Sequence, residues 1–188
     1  MSKDVNAMRE FRSTILILPG LGNSGEGHWQ TIWEKQFGFF RVNQNDWEKP
    51  VLADWISAID AAVSMHDHAN VILVGHSLAC STIGYWSQYS GKRIRGALLV
   101  APSDTEAPSY PPGTVGFSPM PLKKLSFPSI TVASTNDFYV TPERASKFAS
   151  AWGSELIFIG EAGHINVAAG FGEWKEGLDY LRRLDQQQ

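Results

Sequence analysis

Residues 70–79 read Asn-Val-Ile-Leu-Val-Gly-His-Ser-Leu-Ala, and this stretch decides the fold. An apolar run turns at Gly-His-Ser into a segment with helical spacing, which predicts a buried strand, a tight turn and a helix. The turn would expose Ser77 at the carboxyl end of the strand. The residues two positions before and after it must be small because the backbones approach each other there, and Gly75 and Ala79 meet this condition. The stretch therefore predicts a nucleophile elbow, with a serine that merely caps the helix as the alternative.

Other short apolar runs predict further strands of the same sheet, at residues 14–18, 39–42, 97–100, 130–133 and 156–159. Most of these runs are continuous rather than alternating, which is typical of strands covered on both faces. Segments with helical spacing lie between several of them, and Thr141-Pro142-Glu143 is typical of a helix start. The alternation predicts an α/β fold, a single-domain three-layer α/β/α sandwich around a mainly parallel six-stranded sheet.

The length of the chain sets the expected number of domains. Its 188 residues predict one domain that spans residues 1–188. Residues 1–12 mix charged and apolar residues, and we expect an N-terminal extension there rather than a secretory signal. Residues 185–188 are expected to form a polar tail.

Charge and cysteine content argue against several classes of function. The 16 Lys and Arg against 19 Asp and Glu give a net charge of −3, without the basic stripe that nucleic-acid binding requires. The single cysteine, Cys80, excludes an internal disulfide and a Cys-based zinc site, and it suits a reducing, cytoplasmic setting. The apolar runs are far shorter than the roughly 20 residues that cross a bilayer. We therefore expect a cytoplasmic protein that binds no metal, nucleic acid or membrane.

A serine hydroxyl needs a base that removes its proton, and histidine is the usual choice. His76 adjoins Ser77, but neighbouring residues at a sharp turn point apart. His66 and His68 flank an aspartate at the end of a predicted helix, where a solvated position is favoured over a metal site. None of these three is the preferred base.

His164 and His28 are the stronger candidates for the base. His164 follows the last predicted strand, so it lies at the same carboxyl edge as Ser77. His28 also follows a strand, but its neighbours Trp29 and Trp33 suggest the start of a helix. The pattern favours His164.

The carboxylate that orients the base should follow another strand. Asp137 follows the fifth predicted strand, and Asp104, which follows the fourth, is the alternative. Either residue could instead be a turn or capping acid. With Asp137 the chain order is Ser, Asp, His, as in the α/β-hydrolase arrangement. The three side chains would then meet at one edge of one sheet, which predicts a Ser-His-Asp triad.

The loop Gly20–Gly25 has two interpretations. Its G-x-G-x-x-G spacing is typical of a dinucleotide-binding loop, but Asn43 stands where such a fold needs an acid. In a hydrolase the same loop supplies an oxyanion N–H beside that of the residue after the nucleophile. We therefore expect Leu78 and either Leu21 or Gly22 to donate to the oxyanion, and no cofactor.

Residues 102–128 hold seven of the ten prolines and predict a long loop after the fourth strand. This loop is too short to form a helical lid. We expect a shallow site walled by residues 103–127, with Trp47, Phe138 and Tyr139 as further candidates for the wall. Those aromatic residues could equally be ordinary core or rim residues.

A set of short motifs runs in order along the chain: Pro19-Gly20, His28-Trp29, Asp46-Trp47, Gly75-His76-Ser77, Ala101-Pro102, residues 133–137 and Gly163-His164-Ile165-Asn166. From about residue 15 to 181, this set resembles the small, capless serine hydrolases of the α/β-hydrolase superfamily that include retinoblastoma-binding protein nine. The resemblance implies strand order 2-1-3-4-5-6, with Ser77 as nucleophile, His164 as base and Asp137 as orienting acid. The departure is Ala79, where that family commonly has glycine.

These observations predict hydrolysis of a small ester, thioester or amide through an acyl-enzyme, with a small-molecule acyl substrate as the partner. A protein partner is not indicated by the sequence. Two other classes stay open, namely a catalytically silent protein-binding module that keeps the fold, and a dinucleotide- or flavin-binding protein that uses residues 20–25.

Overall fold

The computed structural model describes residues 10–187. Most of the expected N-terminal extension, residues 1–9, and the last residue of the expected tail lie outside the described residues. Strands and helices alternate along the chain: β1 (Thr14–Leu18), α1 (Trp29–Phe37), β2 (Phe40–Arg41), α2 (Leu52–Ser64), β3 (Val71–His76), α3 (Leu78–Tyr89), β4 (Gly96–Val100), β5 (Ser129–Ala133), α4 (Pro142–Trp152), β6 (Glu155–Phe158) and α5 (Lys175–Gln186).

The six strands form one sheet in the order β2-β1-β3-β4-β5-β6, and every neighbouring pair is parallel. The predicted fold class and strand order are confirmed. β3 lies inside the sheet and all six of its residues are buried, as its continuous apolar run predicted. β2 is shorter than expected, because this edge strand pairs with β1 at only two positions.

Successive residues of each strand face opposite sides of the sheet, and this alternation builds two cores. On one face, Leu73 packs in a cluster with side chains of α2, α3 and α4. On the other face, Ile72 and Val74 pack in a cluster with side chains of α1 and α5. The helices therefore form the two outer layers of an α/β/α sandwich.

The ends of the described chain pack against each other, contrary to the expected extension and tail. Phe11 is buried against Phe37 and Phe39. The buried carboxylate of Asp185 accepts the backbone N–H groups of Arg12 (2.9 Å) and Ser13 (2.8 Å). Residues 11–12 and Asp185 therefore belong to the folded domain, because these bonds satisfy groups that would otherwise be buried without partners.

The segment between β4 and β5 contains no helix, and all of its residues are described. It pairs with the rest of the chain through an isolated bridge between Val51 and Val115. Its large buried apolar residues are Phe117, Met120, Leu125 and Phe127. The predicted long loop is therefore present. It packs against the rest of the domain and contains no helical cap. Within residues 10–187, no helix is long and apolar enough to cross a membrane.

Candidate active site

Ser77 occupies the turn between β3 and α3. Its backbone angles, φ 58° and ψ −121°, are a strained conformation for a residue with a side chain. The side chain makes no capping hydrogen bond to α3, so the alternative of a simple helix cap is wrong. Ala79 is buried beneath the turn, and its methyl group is accommodated there.

The structure brings together the three side chains that the sequence analysis singled out. Ser77 Oγ lies 2.9 Å from His164 Nε2. His164 Nδ1 lies 2.8 Å from Oδ2 and 3.0 Å from Oδ1 of Asp137, whose side chain is fully buried. A carboxylate only accepts, so Nδ1 carries the imidazole proton and Nε2 is free to accept the proton of Ser77.

Ser103, which the sequence analysis did not single out, also contacts Ser77. Its Oγ lies 2.7 Å from Ser77 Oγ, and the residue is 1% exposed. Ser77 has one hydroxyl proton, and His164 Nε2 accepts it. In this arrangement the hydroxyl of Ser103 donates to Ser77.

The loop that carries His164 is tied to two other elements. His76 Nε2–H donates to the carbonyl of His164 (2.9 Å), and Trp29 Nε1–H donates to the carbonyl of Ile165 (2.9 Å). Ile165 is buried in a left-handed conformation, φ 47°, which is unusual for a β-branched residue. Burial holds the pKa of His76 well below its usual value, so the ring remains a neutral donor.

The loop that carries Asp137 is tied to the same histidine loop. The side chain of Asn136 accepts the N–H of Gly163 (2.7 Å), and Ser134 Oγ accepts the N–H of Ala162 (2.9 Å). Asp137 Oδ1 also accepts the backbone N–H of Tyr139 (2.9 Å). These bonds hold the carboxylate and the imidazole in one rigid arrangement.

Asp104, the alternative acid, has a different partner. Arg144 Nε lies 2.6 Å from its Oδ2, and the terminal nitrogen of Arg144 lies 2.8 Å from its Oδ1. This two-point ion pair raises the pKa of Arg144 and engages both oxygens of the carboxylate. Asp104 therefore anchors α4 to the loop after β4.

The glycine loop approaches Ser77 directly. A Cβ atom on Gly20 would lie 2.8 Å from Ser77 Cβ and 2.9 Å from the carbonyl oxygen of His76. Gly22 is wrong as an oxyanion donor, because its N–H donates to the carbonyl of Trp47 (2.9 Å). Leu21 is left as the candidate donor from this loop. Leu78 is the first residue of α3, so its N–H has no partner within the helix.

A cavity of about 180 Å³ opens at Ser77. Besides the serine and histidine, it is lined by Leu21, Asn23, His28, Tyr110, Tyr139 and Asn166, among others. The predicted loop 103–127 contributes Ser103, Tyr110 and Pro111 to the wall. Of the three predicted aromatic residues only Tyr139 lines the cavity, and its ring lies 4.7 Å from that of His164. Trp47 packs against Trp55 instead, and Phe138 is 73% exposed; neither lines the cavity.

The remaining histidines lie elsewhere or serve another purpose. His28 caps α1, as its neighbours suggested: its Nδ1 accepts the N–H of Gln30 (3.2 Å). His66 and His68 follow α2, away from the cavity. Within residues 10–187, no group of three or more His, Cys, Asp or Glu side chains could hold a metal ion.

A second cavity, of about 600 Å³, is larger but lies at the other end of the sheet. It is lined by residues near the start of β1, including Phe11, Thr14 and Ile15. The chemistry described above lies at the carboxyl ends of the strands, where open α/β sheets bind their ligands. The smaller cavity is therefore the candidate active site.

Comparison with known proteins agrees with this arrangement. Residues 15–183 match the model of a protein family described as serine hydrolase. A YdeN-like hydrolase from Pectobacterium atrosepticum has a similar structure, with a TM-score of 0.80 and 36% sequence identity over 92% of this chain and 90% of that chain. No curated protein matches the chain.

Two more distant structures share the fold. The ydeN gene product from B. subtilis has a TM-score of 0.78 and 19% identity, over 93% of this chain and 100% of that one. Est1E from Butyrivibrio proteoclasticus, solved with ferulic acid bound, has a TM-score of 0.65 and 12% identity, over 95% and 92% of the two chains. At these identities the likeness extends to the fold alone.

Proposed function

The chain belongs to the serine hydrolase family, and on that basis we propose that it cleaves a small ester, thioester or amide through an acyl-enzyme on Ser77. The observation that carries the proposal is the distance of 2.9 Å between Ser77 Oγ and His164 Nε2. The other imidazole nitrogen lies against the buried carboxylate of Asp137. A nucleophile, a base and an orienting acid in contact are the requirements of this chemistry.

In the first half-reaction, Ser77 Oγ attacks the substrate carbonyl carbon while His164 Nε2 takes the hydroxyl proton. The backbone N–H groups of Leu78 and Leu21 stabilise the oxyanion, and one such donor contributes about 3 kcal/mol. Asp137 stabilises the imidazolium and stays ionised. When the tetrahedral intermediate collapses, the bond to the leaving group breaks and His164 returns the proton to that group.

In the second half-reaction, water replaces the leaving group. His164 takes a proton from the water as its oxygen attacks the acyl carbon, and then gives that proton to Ser77 Oγ as the ester bond breaks. The products are a carboxylic acid and the free enzyme.

The size of the cavity limits the substrate. Its volume of about 180 Å³ is below the roughly 300–1,000 Å³ that is typical for drug-sized ligands. The segment between β4 and β5 covers one side of the site without a helical cap. Both features favour a small acyl group.

A fluorophosphonate probe tests the proposal, because it reacts readily with an activated serine and loses fluoride as the bond between phosphorus and oxygen forms. We expect the wild-type protein to be labelled and to hydrolyse 4-nitrophenyl acetate, and Ser77→Ala to do neither. Absence of labelling in the folded wild-type protein would favour a silent binding module. Saturable binding of NAD or FMN would instead favour the glycine loop as a dinucleotide site.

A further inference from the structure

Two buried polar atoms on the wall of the active-site cavity have no hydrogen-bond partner: His28 Nε2 and the hydroxyl of Tyr110. His28 is 5% exposed, and its Nε2 is shielded from solvent. Buried polar groups in folded proteins are nearly always paired, so each exception requires an explanation. A ligand in the cavity that supplies the missing partner is such an explanation.

The protonation of His28 is set by its capping role. Its Nδ1 accepts the N–H of Gln30, so the ring proton lies on Nε2 and the unpaired group is a donor. Burial, with Arg41 and His164 nearby, lowers its pKa to about 4, so the ring is neutral near neutral pH. The phenol of Tyr110 is also kept in its neutral form, because burial raises its pKa.

The two asparagines on the cavity wall present donors as well. Asn23 Oδ1 accepts the N–H groups of Ser24 (2.8 Å) and Arg41 (2.6 Å), so its NH₂ group is left for other partners. Asn166 Oδ1 accepts the N–H of Ala169 (3.1 Å), which leaves its NH₂ group in the same situation. Because N–H groups can bond only to the amide oxygen, the orientation of both amides is determined.

The wall is therefore rich in donors and carries no formal charge. Among the described residues that line this cavity there is no Lys, Arg, Asp or Glu. Uncharged donors suit an uncharged acceptor oxygen, since a carboxylate would lose its hydration here without a cation to replace it. A purely hydrocarbon acyl group would leave the N–H of His28 and the hydroxyl of Tyr110 buried and unpaired.

We propose that the enzyme prefers acyl groups that carry a second, uncharged acceptor oxygen, such as alkoxyacyl, hydroxyacyl or oxoacyl groups, and that His28 Nε2–H binds this oxygen. The inference rests on the proposed function of Ser77. The oxygen is assigned to the acyl part because that part stays bonded to the enzyme through both half-reactions, whereas the leaving group departs after the first.

Two esters of equal size test the preference. 4-Nitrophenyl methoxyacetate and 4-nitrophenyl butyrate share a leaving group and have acyl chains of the same length, but only the first has an ether oxygen. The ratio of their kcat/KM values is compared between the wild type and each variant, so that the different intrinsic reactivities of the esters cancel. Loss of one hydrogen bond is expected to lower this ratio about tenfold.

Two variants of His28 separate its two nitrogens. In His28→Asn the amide oxygen can replace Nδ1 as the cap, but the distal donor is lost, so the ratio should fall. In His28→Gln the amide NH₂ group can replace Nε2–H, so the ratio should recover even if the helix cap is weakened. If His28 had a purely structural role, the ratio would not fall in His28→Asn and recover in His28→Gln.

Tyr110→Phe removes only the second unpaired hydroxyl and should also lower the ratio. Tyr89→Phe is the matched control, because Tyr89 is 73% exposed and does not line the cavity. If both esters are cleaved through Ser77 with the same ratio in the wild type and in His28→Asn, the inference is wrong and the proposed function stands. If neither ester is cleaved and Ser77 is not labelled by the probe, the proposed function itself fails.

Discussion

The hydroxyl oxygens of Ser77 and Ser103 lie 2.7 Å apart, and Ser103 donates because the proton of Ser77 is directed to His164 Nε2. Ser103 follows β4, whereas Ser77 follows β3, so neighbouring strands of the sheet bring the two hydroxyls together. The bond holds Ser77 Oγ in the rotamer that faces His164. We therefore assign Ser103 a positioning role.

Ser103→Ala is expected to lower kcat about tenfold with little change in KM, because a misplaced nucleophile slows the chemical step more than binding. Steady-state kinetics on 4-nitrophenyl acetate measures this. Ser129→Ala is the matched control. Ser129 is also a buried serine, but it begins β5 and so lies at the opposite edge of the sheet from Ser77, and its substitution should leave kcat unchanged. Equal kcat values in the Ser103 and Ser129 variants would remove the positioning role.

The two candidate acids are expected to respond differently to the same change. Asp137→Asn should lower kcat by about 10⁴, because the amide cannot hold the required imidazole tautomer or stabilise the imidazolium. Asp104→Asn should leave kcat almost unchanged and lower the free energy of unfolding, because Arg144 loses one of its two charged partners and keeps only Glu106. Kinetics and urea unfolding of both variants test this. A large fall in kcat for Asp104→Asn, with Asp137→Asn active, would reverse the assignment.

The close approach of Gly20 to the elbow gives a third prediction. In Gly20→Ala the new Cβ would collide with Ser77 Cβ and the carbonyl oxygen of His76, so the loop and the nucleophile must move apart. A displacement of about 1 Å at this place can cost a factor of 10² in rate. Gly25→Ala is the control, because a Cβ there meets nothing within 4 Å. Similar activity in the two variants would show that the contact is unimportant.

Much of the fold could be predicted from the sequence because its signals are local. The apolar run Thr14–Leu18 forms β1 with the predicted bounds. The apolar run Val71–Val74 lies in β3, which extends two residues beyond it, to His76. Ser77, Asp137 and His164 could be named because the carboxyl ends of parallel strands meet at one edge of a sheet. β2 is shorter than predicted, and Asp185 is packed in the domain instead of lying in a tail. Both features depend on contacts with residues that are distant in the chain.

The supporting residues of the site could not be predicted in this way. Ser103 and Asn136 act through bonds to other loops, and isolated serines and asparagines are common in loops. Two of the three aromatic residues expected in the wall, Trp47 and Phe138, do not line the cavity. The reason is similar: sequence pattern does not determine whether a loop aromatic faces a cavity, the core or solvent. Trp47 faces the core and Phe138 faces solvent.

The indole of Trp29 supports the histidine loop, and its removal is expected to affect both stability and catalysis. In Trp29→Phe the buried carbonyl of Ile165 loses its donor, which should lower the free energy of unfolding by about 1–3 kcal/mol. Because Ile165 adjoins His164, kcat should also fall at a temperature where the variant is fully folded.

Trp33→Phe is the matched control for this variant. Trp33 is equally buried, and its indole N–H donates to the carbonyl of Glu173 (2.9 Å), away from the catalytic loop. We expect a comparable loss of stability with kcat retained. If both variants lose kcat equally, the indole of Trp29 has no specific role in holding His164.

The buried ring of His28 predicts how stability depends on pH. Burial lowers its pKa in the folded protein from 6.5 to about 4, so between these values the unfolded chain binds a proton that the folded protein does not. The free energy of unfolding should therefore fall as the pH decreases from 7 to 4, by about 3 kcal/mol from this group. His28→Asn lacks the titrating ring. Between pH 7 and 4 its free energy of unfolding, measured with urea, should therefore fall by about 3 kcal/mol less than that of the wild type. Parallel pH profiles of the wild type and the variant would mean that His28 takes up its proton equally well in the folded protein.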